Sequence, residues 1–228
     1  GVVAAGALLG AGFERISLRA DHSVAFEAGA NLVSTSARGP LQSVVLDAPL
    51  ISLNDGGVHL VRANHVGLGQ FSPAVPNRAP LADATRGSVV GAQGGLSGEG
   101  VLGVSAGLIE VSGDVGIQGA KTTVLDATLD RQGGNTRTNG EVRFVGAREI
   151  NSKELKGQLS YAGALLVRAG QAYATTLSDF DVVGFQGPTG TSVFSLLAPE
   201  RGSSSQAPLS ALASLSLKSD TVYIDGLI

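Results

Sequence analysis

The sequence predicts an all-β chain folded as a parallel β-helix, a solenoid with loop insertions. Three observations predict it. The first is a short recurring motif: Leu46-x-Ala48-x-x-Ile51-x-Leu53 ahead of Gly56. The same spacing returns as Val61, Ala63, Val66 and Leu68 before Gly69, and as Val104, Ala106, Ile109 and Val111 before Gly113. It returns again as Leu217, Ser219, Val222 and Ile224 before Gly226. A looser copy, Leu18 and Ala20 with Val24 and Phe26 before Gly29, carries one extra residue. Internal similarity of this kind marks a chain built by stacking one supersecondary unit. Second, 43% of residues are hydrophobic but only 4% are aromatic, so the apolar content is mostly small aliphatics. Such residues suit strands and a thin core of constant cross-section. Third, apolar alternation comes in short runs bounded by Gly, Asn, Asp or Ser. No long window carries apolar residues at i, i+3, i+4 and i+7. An antiparallel β-sandwich is the alternative, since it too has short, closely spaced strands. It would not require a motif of fixed internal spacing.

Taken in order, residues 2–11 are apolar and Gly-rich and read as the first strand pair. Alternation then predicts strands at 16–20, 23–26, 43–46, 50–53 and 58–61, and one from Val104 to Val111. Further strands are expected at 141–145, 165–167, 179–183 and 221–224. Residues 211–218 read as a brief winding or as a strand entering the last copy. Three stretches break the rhythm. Residues 70–87 hold Pro73, Pro76 and Pro80, which a strand interior does not accept. Residues 131–140 read as a protruding loop, and 186–208 contain Gly187-Pro188, Gly190 and Pro199. These are expected as inserts at corners, gathered on a binding face.

Small residues anchor the copies: Ala20, Ala48, Ala63, Ala106, Ala127, Ala169 and Ser219, separated by 28, 15, 43, 21, 42 and 50 positions. Most separations fall near one or two multiples of about 20 residues, as in solenoids. The inward set expected from the motif is Ile51, Leu53, Val66, Leu68, Ile109, Val111, Val222 and Ile224. At 228 residues beginning with Gly1, the chain reads as a single segment, 1–228, of a longer protein.

Composition narrows the function. Formal net charge is −3, with no run of like charge, so no nucleic-acid partner is expected. There is no cysteine, which removes disulfide and zinc–thiolate chemistry. No stretch reaches the roughly 18 apolar residues that would span a bilayer. Among carboxylates, Asp47 and Asp126 hold matching motif positions and so are candidates to align on one face. Asp179 and Asp181 lie two apart, on one side of a strand. His22, His59 and His65 do not fall at metal-ligand spacing, although His59 and His65 could meet across adjacent strands. No serine sits in a G-x-S-x-G elbow. Residues 94–100 are similar to a calcium-binding nonapeptide but lack its aspartate, and 54–57 (Asn-Asp-Gly-Gly) read as a tight turn. Tyr161, Tyr173 and Tyr223 are too scattered for a base-stacking platform. No catalytic, cofactor-binding or metal-binding residue is therefore expected, and no cofactor.

Residues 16–29 (Ile-Ser-Leu-Arg-Ala-Asp-His-Ser-Val-Ala-Phe-Glu-Ala-Gly) and 102–113 (Leu-Gly-Val-Ser-Ala-Gly-Leu-Ile-Glu-Val-Ser-Gly) resemble repeats of filamentous haemagglutinin-like proteins. Those are large bacterial exoproteins of the two-partner secretion pathway. The resemblance covers about half the chain. It implies a right-handed parallel β-helix acting as a structural and adhesive shaft, secreted to the bacterial cell surface. It also implies two partners: an outer-membrane transporter during export, and a receptor or glycan on a host or neighbouring cell. The Asn-Pro-Asn motifs of that family's secretion domain do not occur in this chain. The segment thus resembles internal shaft. A carbohydrate-active β-helix, such as a polysaccharide lyase, hydrolase or phage tail-spike module, is the alternative.

Overall fold

The computed structural model describes residues 3–34, 39–71, 96–129, 140–148, 154–199, 210–226 and 228. Within the expected inserts, 72–87, 131–139 and 200–208 lie outside the described residues, as do Gly94 and Gly95. The chain is all-β, with parallel strands in a curled sheet. It opens with α1 (Ala5–Gly10), then β1 (Arg15–Arg19), β2 (Val24–Phe26) and β3 (Leu32–Val33). Next come β4 (Leu41–Asp47), β5 (Leu50–Leu53) and the long β6 (Val58–Gly69). Then follow β7 (Gly100–Ser105), β8 (Leu108–Ser112), β9 (Asp114–Gln118) and β10 (Ala120–Asp126). After these stand β11 (Glu141–Val145), β12 (Ala147–Arg148), β13 (Leu155–Ala162) and β14 (Ala164–Arg168). The last five are β15 (Gln171–Ala174), β16 (Ser178–Phe185), β17 (Val193–Leu197), β18 (Ser214–Lys218) and β19 (Thr221–Asp225).

Every pairing among the described strands is parallel except β12 with β13. The pairings make three ladders. The first is β1-β4-β6-β8-β11-β15. The second is β2-β5-β9-β13-β16-β18. The third is β3-β6-β7-β10-β14-β17-β19. From β1 to β6 and from β8 to β17 the described strands fall in the first, second and third ladder in that order; between β6 and β7 no second-ladder strand, and between β17 and β18 no first-ladder strand, is among the described residues. β6 serves two of them, pairing in the third ladder up to Arg62 and in the first from Ala63. In the second ladder β5 pairs directly with β9.

Alternation decides what is buried. In the first ladder Ile16, Val44, Val66, Ile109, Val142 and Ala172 are register partners in one column. All six are buried. Beside them Leu46, Leu68, Val111, Phe144 and Ala174 form a second buried column. The third ladder repeats this with Leu32, Val61, Val104, Leu125, Val167 and Leu196. The columns meet in one continuous core.

The recurring motif marks a corner of the circuit rather than the circuit itself. Ala106, Ala127 and Ala169 stand where the chain leaves the third ladder for the first. Their N–H groups donate to Asp126, Arg168 and Leu197 C=O of the following circuit, at 3.0, 2.8 and 3.4 Å. Ala20 and Ala48 instead follow β1 and β4, between the first and second ladders, and Ser219 links β18 to β19. Three kinds of corner share one small-residue rule, so the anchor separations are irregular. The long step from Ala63 to Ala106 spans residues 72–95.

Several expectations are corrected. Residues 5–10 form a helix, not a strand. Positions 4–10 (Ala-Ala-Gly-Ala-Leu-Leu-Gly) contain no β-branched side chain, and Ala and Leu favour helix. Leu8 and Leu9 pack against the core. The expected strand from Val104 to Val111 is two strands, because Ala106 is a corner. Val193–Leu197, expected within an insert, is strand β17, with Phe194 and Leu196 buried. Ile51, Leu53, Val66, Leu68, Ile109 and Val111 are buried as expected. Val222 and Ile224 are not: they are 39% and 54% exposed. Their register partners are the buried Phe194 and Leu196, so they face the same side. β19 pairs with β17 alone among the described strands, and no further column covers them.

Candidate functional site

The outer face of the first ladder carries a continuous polar strip. It arises from the same alternation that buries the columns, since residues between inward positions point out. Ser43 on β4 and His65 on β6 are register partners, as are Glu110 on β8, Arg143 on β11 and Tyr173 on β15. His65 and Glu110 are diagonal neighbours, within reach of long side chains. Ser43 Oγ lies 3.0 Å from His65 Nδ1, and His65 Nε2 lies 2.9 Å from Glu110 Oε2. A carboxylate only accepts, so Nε2 carries a proton, and in the neutral imidazole Nδ1 accepts from the Ser43 hydroxyl. Arg143 continues the chain. Its Nη1 is 3.7 Å from Glu110 Oε1 and its Nη2 is 2.7 Å from Glu141 Oε2. The Tyr173 hydroxyl donates to Glu141 Oε2 at 3.0 Å. At the other end the Phe71 ring lies over Gly67, where a Cβ would stand 2.8 Å from Cζ. Any Cβ at position 67 would require the ring to shift. The Phe71 N–H is anchored on Asp47 Oδ1 at 3.1 Å.

The hydrogen bond from His65 holds the Glu110 carboxyl below its ordinary range, against the opposing effect of burial. Arg143 acts in the same direction. Burial, and then the bond to Glu141, push the Tyr173 phenol up. Glu110 is therefore ionised at neutral pH, whereas glycoside cleavage needs one protonated carboxyl. Ser43, His65 and Glu110 have the outline of an acyl-transfer relay. Such a relay also needs two free N–H donors for the oxyanion. Here the Ser43 and Gln42 N–H groups both donate to Glu14 C=O, at 3.3 and 2.7 Å.

Its charge chemistry gives a testable pH dependence. Because folding lowers the Glu110 pKa, the paired carboxylate stabilises the fold above the unfolded value of about 4.3 and stops doing so as pH falls through the folded value. Glu110→Gln is expected to lower stability at pH 7 by less than about 1 kcal/mol for a pair this accessible, read as a slightly lower melting temperature. The gap between the two proteins should close as the solution is acidified below the glutamate range. A gap that widens on acidification would contradict the assignment.

The other candidate residues lie apart. Asp47 ends β4 in the first ladder and is buried, whereas Asp126 ends β10 in the third. They do not share a face, because matching motif positions fall at different corners. Asp126 accepts from the N–H and Oγ1 of Thr128, at 3.1 and 2.6 Å, as a turn residue. Asp179 and Asp181 do share the outer side of β16; Lys218 donates to Asp181 at 2.9 Å. His59 and His65 do not meet. Both lie on β6, but His59 points inward and is fully buried. Its Nδ1 bonds Ala30 C=O at 2.9 Å and its Nε2 bonds Asp55, whose carboxyl is thereby held below its ordinary range. His22 is exposed. Asn54–Gly57 make the turn between β5 and β6. Tyr161 is a core residue bonded to Ser219, and Tyr223 is exposed on the third ladder. Among the described residues no group of three or more His, Cys, Asp or Glu is placed to hold a metal ion, and no helix is long and apolar enough to cross a membrane.

The polar strip was not visible in the sequence, since its members lie 22 to 45 positions apart along the first contacts. Its signal is the outward set of each first-ladder strand, readable only once strand register is known. Comparison of the chain with family models, with curated proteins and with solved structures finds no match.

Proposed function

We propose that the chain is a right-handed parallel β-helix serving as a structural and adhesive shaft segment, without catalysis, of a secreted bacterial surface protein. The observation that carries this reading is the return of the described strands to three parallel ladders in a recurring order, with columns of buried apolar side chains behind the first and third. Parallel crossovers in one sheet are right-handed in about 98% of cases, which supports the handedness. An inward face committed to stacking and an outer face of uniform register leave recognition to the outer side chains and to the inserts. The haemagglutinin-like repeat style supports export through an outer-membrane partner and a receptor or glycan as the adhesive ligand. A glycan-cleaving module is the second reading. It is favoured by the Glu110–Arg143–Glu141 cluster and opposed by the ionised state of Glu110.

The test separates folding from adhesion. Residues 72–87, 131–139 and 200–208 are each replaced by a Gly-containing turn. Far-UV circular dichroism and binding of the purified chain to cells are then measured. Folding is expected to survive, and adhesion to fall for at least one deletion. If all three leave adhesion intact while Glu110→Gln or Asp179→Asn abolishes turnover of a glycan, the shaft reading gives way to the enzyme reading.

A further inference from the structure

The outer face of the third ladder differs from the other two in being apolar. Across β6, β10, β14 and β19 one outward column presents Leu60, Val124, Leu166 and Tyr223. Leu60 and Tyr223 are 45% and 60% exposed. On the intervening strands β7 and β17 the same column holds only Gly103 and Ser195. Two residues further along each strand runs a charged column. It reads Arg62 on β6, Asp126 on β10, Arg168 on β14 and Asp225 on β19, with uncharged Ser105 and Leu197 between.

The order of these charges is antisymmetric about the midpoint between β10 and β14. Counting the six strands from β6 to β19, plus stands first and third from last, minus stands last and third. Reversing the strand order therefore places every Arg opposite an Asp. The apolar column has the matching symmetry of size. Reversal sets Leu60 opposite Tyr223, Val124 opposite Leu166, and Gly103 opposite Ser195.

We propose that this face is the contact between two copies of the chain, packed about a twofold axis that runs along the strands. A twofold contact uses the same patch on both copies, so the patch must complement itself. Here Arg62 meets Asp225 of the partner subunit, and Asp126 and Arg168, 3.8 Å apart within each copy, each face the oppositely charged residue of the other copy. Each pair occurs twice, and the apolar column is covered between them. Opposite charges set in register fix the orientation and disfavour the parallel arrangement, in which like charges would face. Six strands about 4.8 Å apart and five residues of about 3.3 Å give a footprint near 400 Å² per copy. Stable interfaces use about 800 Å² per partner, so this dimer is weak and forms at raised concentration. Salt loosens it by screening the four ion pairs.

Sedimentation of the purified chain over a rising concentration series tests this at low and high salt. Wild type is expected to pass from monomer to dimer, and less readily in salt. Arg62→Asp and Asp225→Arg, both at exposed positions, each weaken association at least several-fold by setting like charges together. The double substitution restores it, because the charges are exchanged and remain complementary. Leu166→Arg abolishes the dimer. Should that variant lose its melting transition, Leu60→Glu at an exposed site makes the same test. A chain that stays monomeric throughout overturns the proposal. So does a dimer indifferent to Leu60→Glu, or a double variant that associates no better than either single one.

Discussion

Ile109→Ala is expected to remove about 2–5 kcal/mol of stability, the range for truncating a fully buried branched aliphatic. Ile109 is wholly inaccessible. It is stacked between Val66 of the preceding strand and Val142 of the following one. Neither neighbour can collapse into the space, because each is fixed by its own ladder hydrogen bonds at a spacing of about 4.8 Å. The lost methyls thus leave a cavity as well as a transfer cost. A domain is stable by only about 5–15 kcal/mol, so the loss is a large share. Ile224→Ala is the matched control. It removes the same atoms from the same kind of motif position, but Ile224 is 54% exposed. That change is expected to stay within about 0.5 kcal/mol. Urea unfolding measures both, with an unchanged m value showing that the surface exposed on unfolding is the same. Equal effects at the two sites would mean that the buried columns do not carry the stability.

The contrast between those two isoleucines shows what was legible in the sequence. Alternation and the small corner residue correctly place Ile109 and Val111 on the inward side, and give Val222 and Ile224 the same facing. Facing is a local property, set by the two-residue period of a strand. Burial is not local: it needs a strand on each side, and β19 has one neighbour among the described strands. The polar strip fails to appear for a related reason. Whether Ser43, His65 and Glu110 meet depends on how many residues each circuit spends in its corners. The 24 positions from 72 to 95 intervene between His65 and Glu110 without changing the strand spacing. His59 was hidden differently. In Val58-His59-Leu60-Val61 either alternate set could be inward, and the ladder chooses His59 and Val61.

Gly119→Ala is expected to be at least as damaging as Ile109→Ala, at about 4 kcal/mol or more, a range that few single substitutions reach. Gly119 turns the chain from β9 into β10 with φ +82°, a conformation that costs other residues about 1–3 kcal/mol. The second cost is steric. A Cβ there would stand 2.2 Å from the carbonyl oxygen of Leu53. Backbone cannot rotate away as a side chain can, and Leu53 is held at the end of β5 by its pairing with β2. Gly119 is itself tied on both sides, its N–H to Leu96 C=O and its C=O to the Gly100 N–H, each at 2.9 Å. Relief of the clash must therefore push neighbouring circuits apart at their corner. Gly190→Ala separates the two costs. Gly190 has φ +78°, and a Cβ there meets nothing within 4 Å. It should show the conformational penalty alone, about 1–3 kcal/mol. The excess of Gly119→Ala over Gly190→Ala, read from paired melting curves, measures how tightly the corners are stacked. Were the two substitutions to cost the same, the corner at Gly119 would have to be open enough to admit a methyl group, which the 2.2 Å approach to Leu53 denies.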